Sequence, residues 1–191
     1  MSKQIWKGGN MLNPVPAVMV TCQRPGEKPN IITVAWTGTV CSNPPMLYVS
    51  IRPERYSHGI ISDTKEFVVN LVSSSMIRAC DWCGVKSGRD CDKFKETGLT
   101  PIPSANVNAP TIDESPLSLE CKVTDIIKLG SHDMFLAEIV SVAADERYCD
   151  ENGRFSMDKA DLTAYCHGEY YALGEKLGSF GYSVKKKKRK K

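Results

Sequence analysis

The stretch SIRPERYSHG, Ser50 to Gly59, places two arginines, two serines, a tyrosine and a histidine directly after the apolar run MLYV. A dianionic phosphate is held by charge-assisted bonds from guanidinium groups, by hydroxyl donors and by the free N–H groups at a helix start. All three are on offer. Arg52 and Arg55 carry charge, Ser50 and Ser57 carry hydroxyls, and Ser57 with His58 stands where a helix would begin. By composition alone the same residues describe a solvated turn equally well. Neither GxGxxG nor GxxxxGK[ST] occurs in the chain, so a dinucleotide fold or a P-loop has no support.

The preceding segment, TVAWTGTVCSNPP, gathers small residues (Ala35, Gly38) and hydroxyls (Thr33, Thr37, Thr39) around Trp36. That composition leaves room for a flat ligand to lie against the backbone, whose amides could bond a heteroaromatic edge. A planar ring on this segment and a phosphate on the next is what a flavin mononucleotide requires. Other clusters are weaker. CDWC, Cys80 to Cys83, with Cys91 eight residues on, supplies three cysteines where a zinc site needs four ligands, and lacks the βαβ setting of a thioredoxin-like pair. These read as structural thiols. YCHGEYYALGEKLGSFGY, Tyr165 to Tyr182, reads as an aromatic arm packed on its own barrel or on a partner subunit, with Tyr170 or Tyr171 over a flavin as the alternative.

The elements that must position these residues are mostly short strands. AVMVTC, NIITVAWTGTV, MLYVSI and EFVVNLV are compact and rich in β-branched residues; QRPGEKPN and SNPP break the chain between them. Between MLYVSI and EFVVNLV a helix of about two turns is expected, capped by Ser57, with Ile60 and Ile61 toward the core. From Ser73 the pattern reads as helix, loop, helix. SLECKVTDIIKL and MFLAEIVSVAADERYC then flank the tight connection GSHD as long strands, and a docked loop and helix are expected toward Tyr182. Six or so evenly spaced strands favour an antiparallel barrel or sandwich over a βαβ fold.

The 191 residues suit one domain, over 1–184, and 41% apolar with 25% charged residues excludes a disordered chain. No apolar run is long enough to span a bilayer and the start lacks a signal-peptide core, so the expected location is cytoplasmic. The net charge of +3 belongs to KKKKRKK: removing the seven basic residues 185–191 from the 25 leaves 18 cations against 22 acids, a body of −4. The tail is expected to be extended and solvated rather than a nucleic-acid or membrane anchor. The eight cysteines, several of them in apolar runs, read as reduced.

The order NMLNPVPAVMVTC, PNIITVAWTGTVCSNPPMLYVSIRPERYSHGII, KEFVVNLV, then GSHD before MFLAEIVSV, resembles the flavin reductase-like proteins of the FMN-binding split-barrel superfamily, flavoredoxins included. The resemblance runs from about Asn10 to Tyr148. It implies a mainly β split barrel, usually a homodimer, with FMN near the subunit interface. The ring would rest on Thr33, Val34, Ala35, Trp36 and Thr37, and the phosphate on Ser50, Arg52, Arg55, Tyr56, Ser57 and His58. GSHD looks like the family's Gly-Asp-His element, associated with the nicotinamide substrate; His132 is the matching histidine, while Ser131 replaces the usual acid and Asp133 follows instead. The implied activity is reduction of FMN by NAD(P)H, with electrons passed to free flavin, ferric iron or a redox protein; a non-enzymatic flavoredoxin-like carrier with tightly bound FMN is the alternative.

Overall fold

A computed structural model describes residues 2–185; of the tail expected over 185–191, only Lys185 falls within them. In chain order the elements are β1 (Val15–Pro16), β2 (Val18–Cys22), β3 (Asn30–Val34), β4 (Thr37–Ser42), β5 (Pro45–Ile51), α1 (Tyr56–Thr64), β6 (Glu66–Leu71), α2 (Ile77–Val85), α3 (Lys93–Thr97), β7 (Pro101–Ile102), β8 (Thr111–Ile112), β9 (Leu117–Lys128), β10 (Asp133–Ala144), β11 (Thr163–Cys166) and β12 (Glu169–Ala172). The main sheet has seven antiparallel strands in the order β3-β2-β6-β9-β10-β5-β4.

The run NIITVAWTGTV forms two strands rather than one, broken at Ala35 and Trp36, and these two strands are the opposite edges of the sheet. Three Cα steps from Val34 to Thr37 reach about 10 Å at most, so the sheet curls until its edges nearly meet. No ladder joins them; the Ser50 N–H donating to the Trp36 carbonyl at 2.9 Å ties the crossing to β5 instead. The fold is mainly β, an antiparallel barrel left open at one seam. Alternation along β5 sends Leu47, Val49 and Ile51 inward, where they meet Val20, Val69, Phe67, Phe135 and, from α1, Ile60 and Ile61. A second cluster lies outside the barrel, where α2, with Cys80 and Cys83, covers Met19 and Ile31.

Two local expectations are corrected. Ser57 does not cap α1: the cap residue is Arg55, with no side-chain cap bond, and Ser57 is the second residue of the helix, fully buried, its hydroxyl accepting from Asn30 Nδ2 at 2.7 Å. The segment toward Tyr182 is no docked helix but the β11–β12 hairpin, followed by a chain with one 3-10 turn at Tyr182–Val184. Its two-residue turn, His167 at φ 50° and Gly168 at φ 99°, has the positive angles that match the right-handed twist of flanking strands.

Candidate functional site

The seam of the barrel opens into a cavity of about 440 Å³, the size range of small-molecule sites. Its wall is the strand crossing itself: Thr33, Val34, Ala35 and Trp36. The end of β5 adds Ser50, Arg52 and Arg55; α2 adds Asp81 and Gly84; the β9–β10 turn adds Ser131 and His132; the hairpin adds Tyr165 and Tyr170. Close packing of α2 on β3 depends on Gly84, where a Cβ would stand 3.2 Å from that of Thr33, and Thr33 Oγ1 donates to the Cys80 carbonyl. Small residues at the crossing thus leave a flat slot beside the backbone.

Across the slot, the His132 imidazole lies parallel to the Trp36 indole, centroids 6.3 Å apart and planes 6° from parallel. Ser131 Oγ is 2.9 Å from His132 Nδ1, which leaves Nε2 for a ligand. Burial, and then the Arg52 charge, lower the His132 pKa from its usual value, so the ring is neutral near pH 7. On the opposite wall Tyr170 Oη is 3.1 Å from Asp81 Oδ1. Burial raises its hydroxyl pKa, and the Cys80 and Asp81 neighbours add to this, so it remains protonated.

A second cavity of about 390 Å³ adjoins the first, sharing Ile32, Arg55 and Gly84. Four cationic side chains line it, Arg55, Lys86, Arg89 and Lys93, against one acid, Glu54. Lys93 is only 4% exposed. Its Nζ donates to the Ile31 carbonyl at 2.7 Å and the Cys83 carbonyl at 2.6 Å. An ammonium has three N–H donors, so one remains for whatever fills the cavity. Burial lowers its pKa, which an anionic neighbour would reverse. Gly88 brings the loop after α2 onto the floor of this cavity, where a Cβ would come 2.7 Å from Asn30 Cγ and 3.0 Å from Tyr56 Cδ1.

The structure therefore brings Thr33, Val34, Ala35, Trp36, Ser50, Arg52, Arg55 and His132 together around the first cavity, and Arg55, Tyr56 and Ser57 around the second. Two expected residues line neither. Thr37 Oγ1 donates to the Tyr48 carbonyl within the β4–β5 ladder. His58 points into the fold, its Nε2 2.8 Å from Asp133 Oδ2 and its ring edge-on to Phe135, so it is corrected from a phosphate ligand to an internal partner. Lys93 and Asp81 carried no signal of their own in the sequence; Tyr165 and Tyr170 did, as aromatics of the C-terminal arm, with Tyr170 also the alternative over a flavin. Cys80 and Cys83 are buried thiols whose pKa values are pushed up to about 12 and about 11, chiefly by burial, and among the described residues no group of side chains could hold a metal ion. The described cysteines are all free.

Residues 11–174 match the flavin reductase like domain. The chain belongs to the flavin reductase-like family. Among solved structures, it resembles flavoredoxin of Desulfovibrio vulgaris (Miyazaki F), with 32% identity, a TM-score of 0.89, and 96% of this chain and all of that one covered. A split-barrel-domain protein of Shewanella frigidimarina superposes with a TM-score of 0.81 at 26% identity, covering 91% of this chain and 89% of the other. A named relative, an NADPH-flavin oxidoreductase of Streptomyces viridifaciens, is 30% identical over 129 residues, 66% of this chain and 65% of that protein. Family membership and the open-seam barrel agree: this is a split barrel of the flavin-binding kind. Among the described residues, no helix is long and apolar enough to cross a membrane.

Proposed function

We propose that the chain binds FMN, with the ring in the slot at the strand crossing and the phosphate in the adjoining cationic cavity, and works as an NAD(P)H-dependent flavin reductase. The observation that carries this is the pairing of the two cavities through Arg55, the second floored by a buried ammonium with a donor to spare. When bound, FMN supplies hydride and electron chemistry that no side chain can. The chain's own residues bind and orient: Arg55, Arg89 and Lys93 neutralise the phosphate, Thr33 to Trp36 form the bed of the ring, and Tyr165 and Tyr170 exclude water from its far side. Neutral His132, parallel to Trp36 at the mouth, offers Nε2 to an incoming nicotinamide amide. The acceptor is free flavin, ferric iron or a redox protein.

A flavoredoxin-like carrier with permanently held FMN is the second reading, favoured by the 32% identity to a flavoredoxin across nearly the full length of both chains. The chain also leaves Ile5, Trp6 and Leu12 near one end and Leu177, Phe180 and Val184 near the other almost bare. Apolar arms of this extent favour a homodimer, and an intracellular setting suits eight free thiols. The test is a spectrum followed by kinetics. A flavin absorbance band should survive gel filtration, and anaerobic mixing with NADH or NADPH should bleach it rapidly. Reduction only by another redox protein would replace the reductase with the carrier; a protein that neither retains nor binds FMN would remove both.

A further inference from the structure

We infer that the buried His58–Asp133 pair is the positioning device of the nicotinamide-facing turn: Asp133, clamped by His58, holds His132 against Trp36. The inference rests on the flavin reductase reading for its kinetic part only. Asp133 is the first residue of β10 and is 7% exposed, with its backbone in register with Ile51 on one side and Lys128 on the other. Side chains alternate along a strand, so Asp133 and Phe135 face inward while His132 faces the cavity mouth. The inward carboxylate meets His58 Nε2 at 2.8 Å, with both side chains largely withdrawn from solvent at 16% and 11% exposure, and Phe135 supports the imidazole edge-on at 5.1 Å. A short bond between largely buried polar groups is costly to break from one side, since the partner is left unsatisfied.

The two ends of this bond are not equally dependent on it. Helix α1 has independent anchors, Ile60 and Ile61 in the core and Ser57 on Asn30. The turn has few. Leu129 is 58% exposed, Gly130 takes φ 91°, and the Leu129 N–H to His132 carbonyl bond of 3.0 Å closes the turn on itself without tying it to the barrel. Asp133 is therefore the polar side chain through which the turn is fixed to the core. Loss of the clamp frees His132 before it disturbs the floor of the slot or the cationic cavity.

The test replaces Asp133 with Leu, of similar size and unable to bond His58, and with Asn, which keeps a hydrogen bond. His58→Gln is the second variant should Asp133→Leu not fold. Two readouts are taken on folded protein. In histidine ring ¹H–¹³C spectra, where three residues contribute and His132→Asn assigns the signal, the ring-current displacement of His132 by Trp36 should collapse in Asp133→Leu and persist in Asp133→Asn. In steady-state kinetics the KM for NAD(P)H should rise on the order of ten- to a hundredfold in Asp133→Leu, with FMN affinity within about twofold of wild type, since neither side chain of the clamp lines the slot or the cationic cavity and the Arg55 and Ser57 contacts of α1 do not depend on it. An unchanged His132 signal in folded Asp133→Leu overturns the inference whatever the enzyme's activity. An unchanged KM beside a collapsed signal overturns the kinetic role. Wild-type protein that never oxidises NAD(P)H refutes the reductase reading instead, and the spectral arm still decides the clamp.

Discussion

Replacing Lys93 with Met separates the phosphate from the ring. The side chain is nearly the same length, keeps the apolar stem, and removes an ammonium that the fold encloses, its Nζ fixed by the Ile31 and Cys83 carbonyls at 2.7 and 2.6 Å. Two donors are committed to the protein, so one is lost to the ligand. A hydrogen bond to a charged group contributes about 1.5–3 kcal/mol, and tenfold in affinity corresponds to about 1.4 kcal/mol, so FMN should bind roughly 10- to 150-fold more weakly. Riboflavin, the same ring without the phosphate, is the internal control: its affinity should change less than about threefold, because Lys93 does not line the slot. Titration of apoprotein with each flavin, followed by quenching of flavin fluorescence, measures both constants. Equal losses for FMN and riboflavin would mean that Lys93 supports the slot rather than the phosphate, and an unchanged FMN affinity would remove the cationic cavity from the site.

Gly88→Ala should cost about 1–3 kcal/mol, read as a fall in the urea midpoint, because the new methyl meets buried Asn30, which is already bonded to Ser57 and cannot swing away; wild-type stability would show that the loop is free to lift. Alkaline pH should destabilise the reduced protein. Cys22, Cys80, Cys83 and Cys121 have thiol pKa values pushed from 9.0 up to about 12, 12, 11 and 12, mainly by burial. The unfolded chain then loses protons first, so the stability is intact below pH 9 and is lost as pH rises from there toward the folded values. Each thiol costs about 1 kcal/mol per pH unit in that window, and Lys93, whose pKa is lowered by burial, offsets one of them up to its unfolded value of 10.5. Urea unfolding at pH 8 and pH 10 under reducing conditions should differ by about 3 kcal/mol or more; equal midpoints would refute the burial of these thiols.

Most strand-forming runs and the polar stretch after MLYV were readable because they depend on local rules: β-branched runs form strands, Pro and Gly interrupt them, and arginines with hydroxyls at a helix start suit an anion; the split of NIITVAWTGTV into two edge strands and the sheet order were not. Family likeness tied these segments together as a flavin site. The reading failed where a residue's role depends on what faces it from far along the chain. His58 has the chemistry of a phosphate ligand, but the turn of α1 points it to Asp133, 75 residues on, and Ser57, which does line the cationic cavity, bonds Asn30 instead of capping the helix. The C-terminal arm read as a docked loop and helix because its strands are only four residues long, and the pairing of β11 with β12 and with β1 shows it as sheet.

By itself, then, the sequence determined the segments: an antiparallel β-protein whose Thr33–Trp36 and Ser50–Ser57 stretches are suited to a ring and a phosphate. The tertiary structure decided which side chains share a cavity. Lys93 looks in sequence like any surface lysine of DKFKETG, and becomes a buried ammonium beside the cationic cavity only because α3 packs against β3 and closes water away from its Nζ. His132 is one histidine in a polar turn until the curled sheet brings β10 beside β5 and lays the imidazole parallel to Trp36. Burial and juxtaposition across tens of residues are products of barrel closure, and no local pattern encodes them.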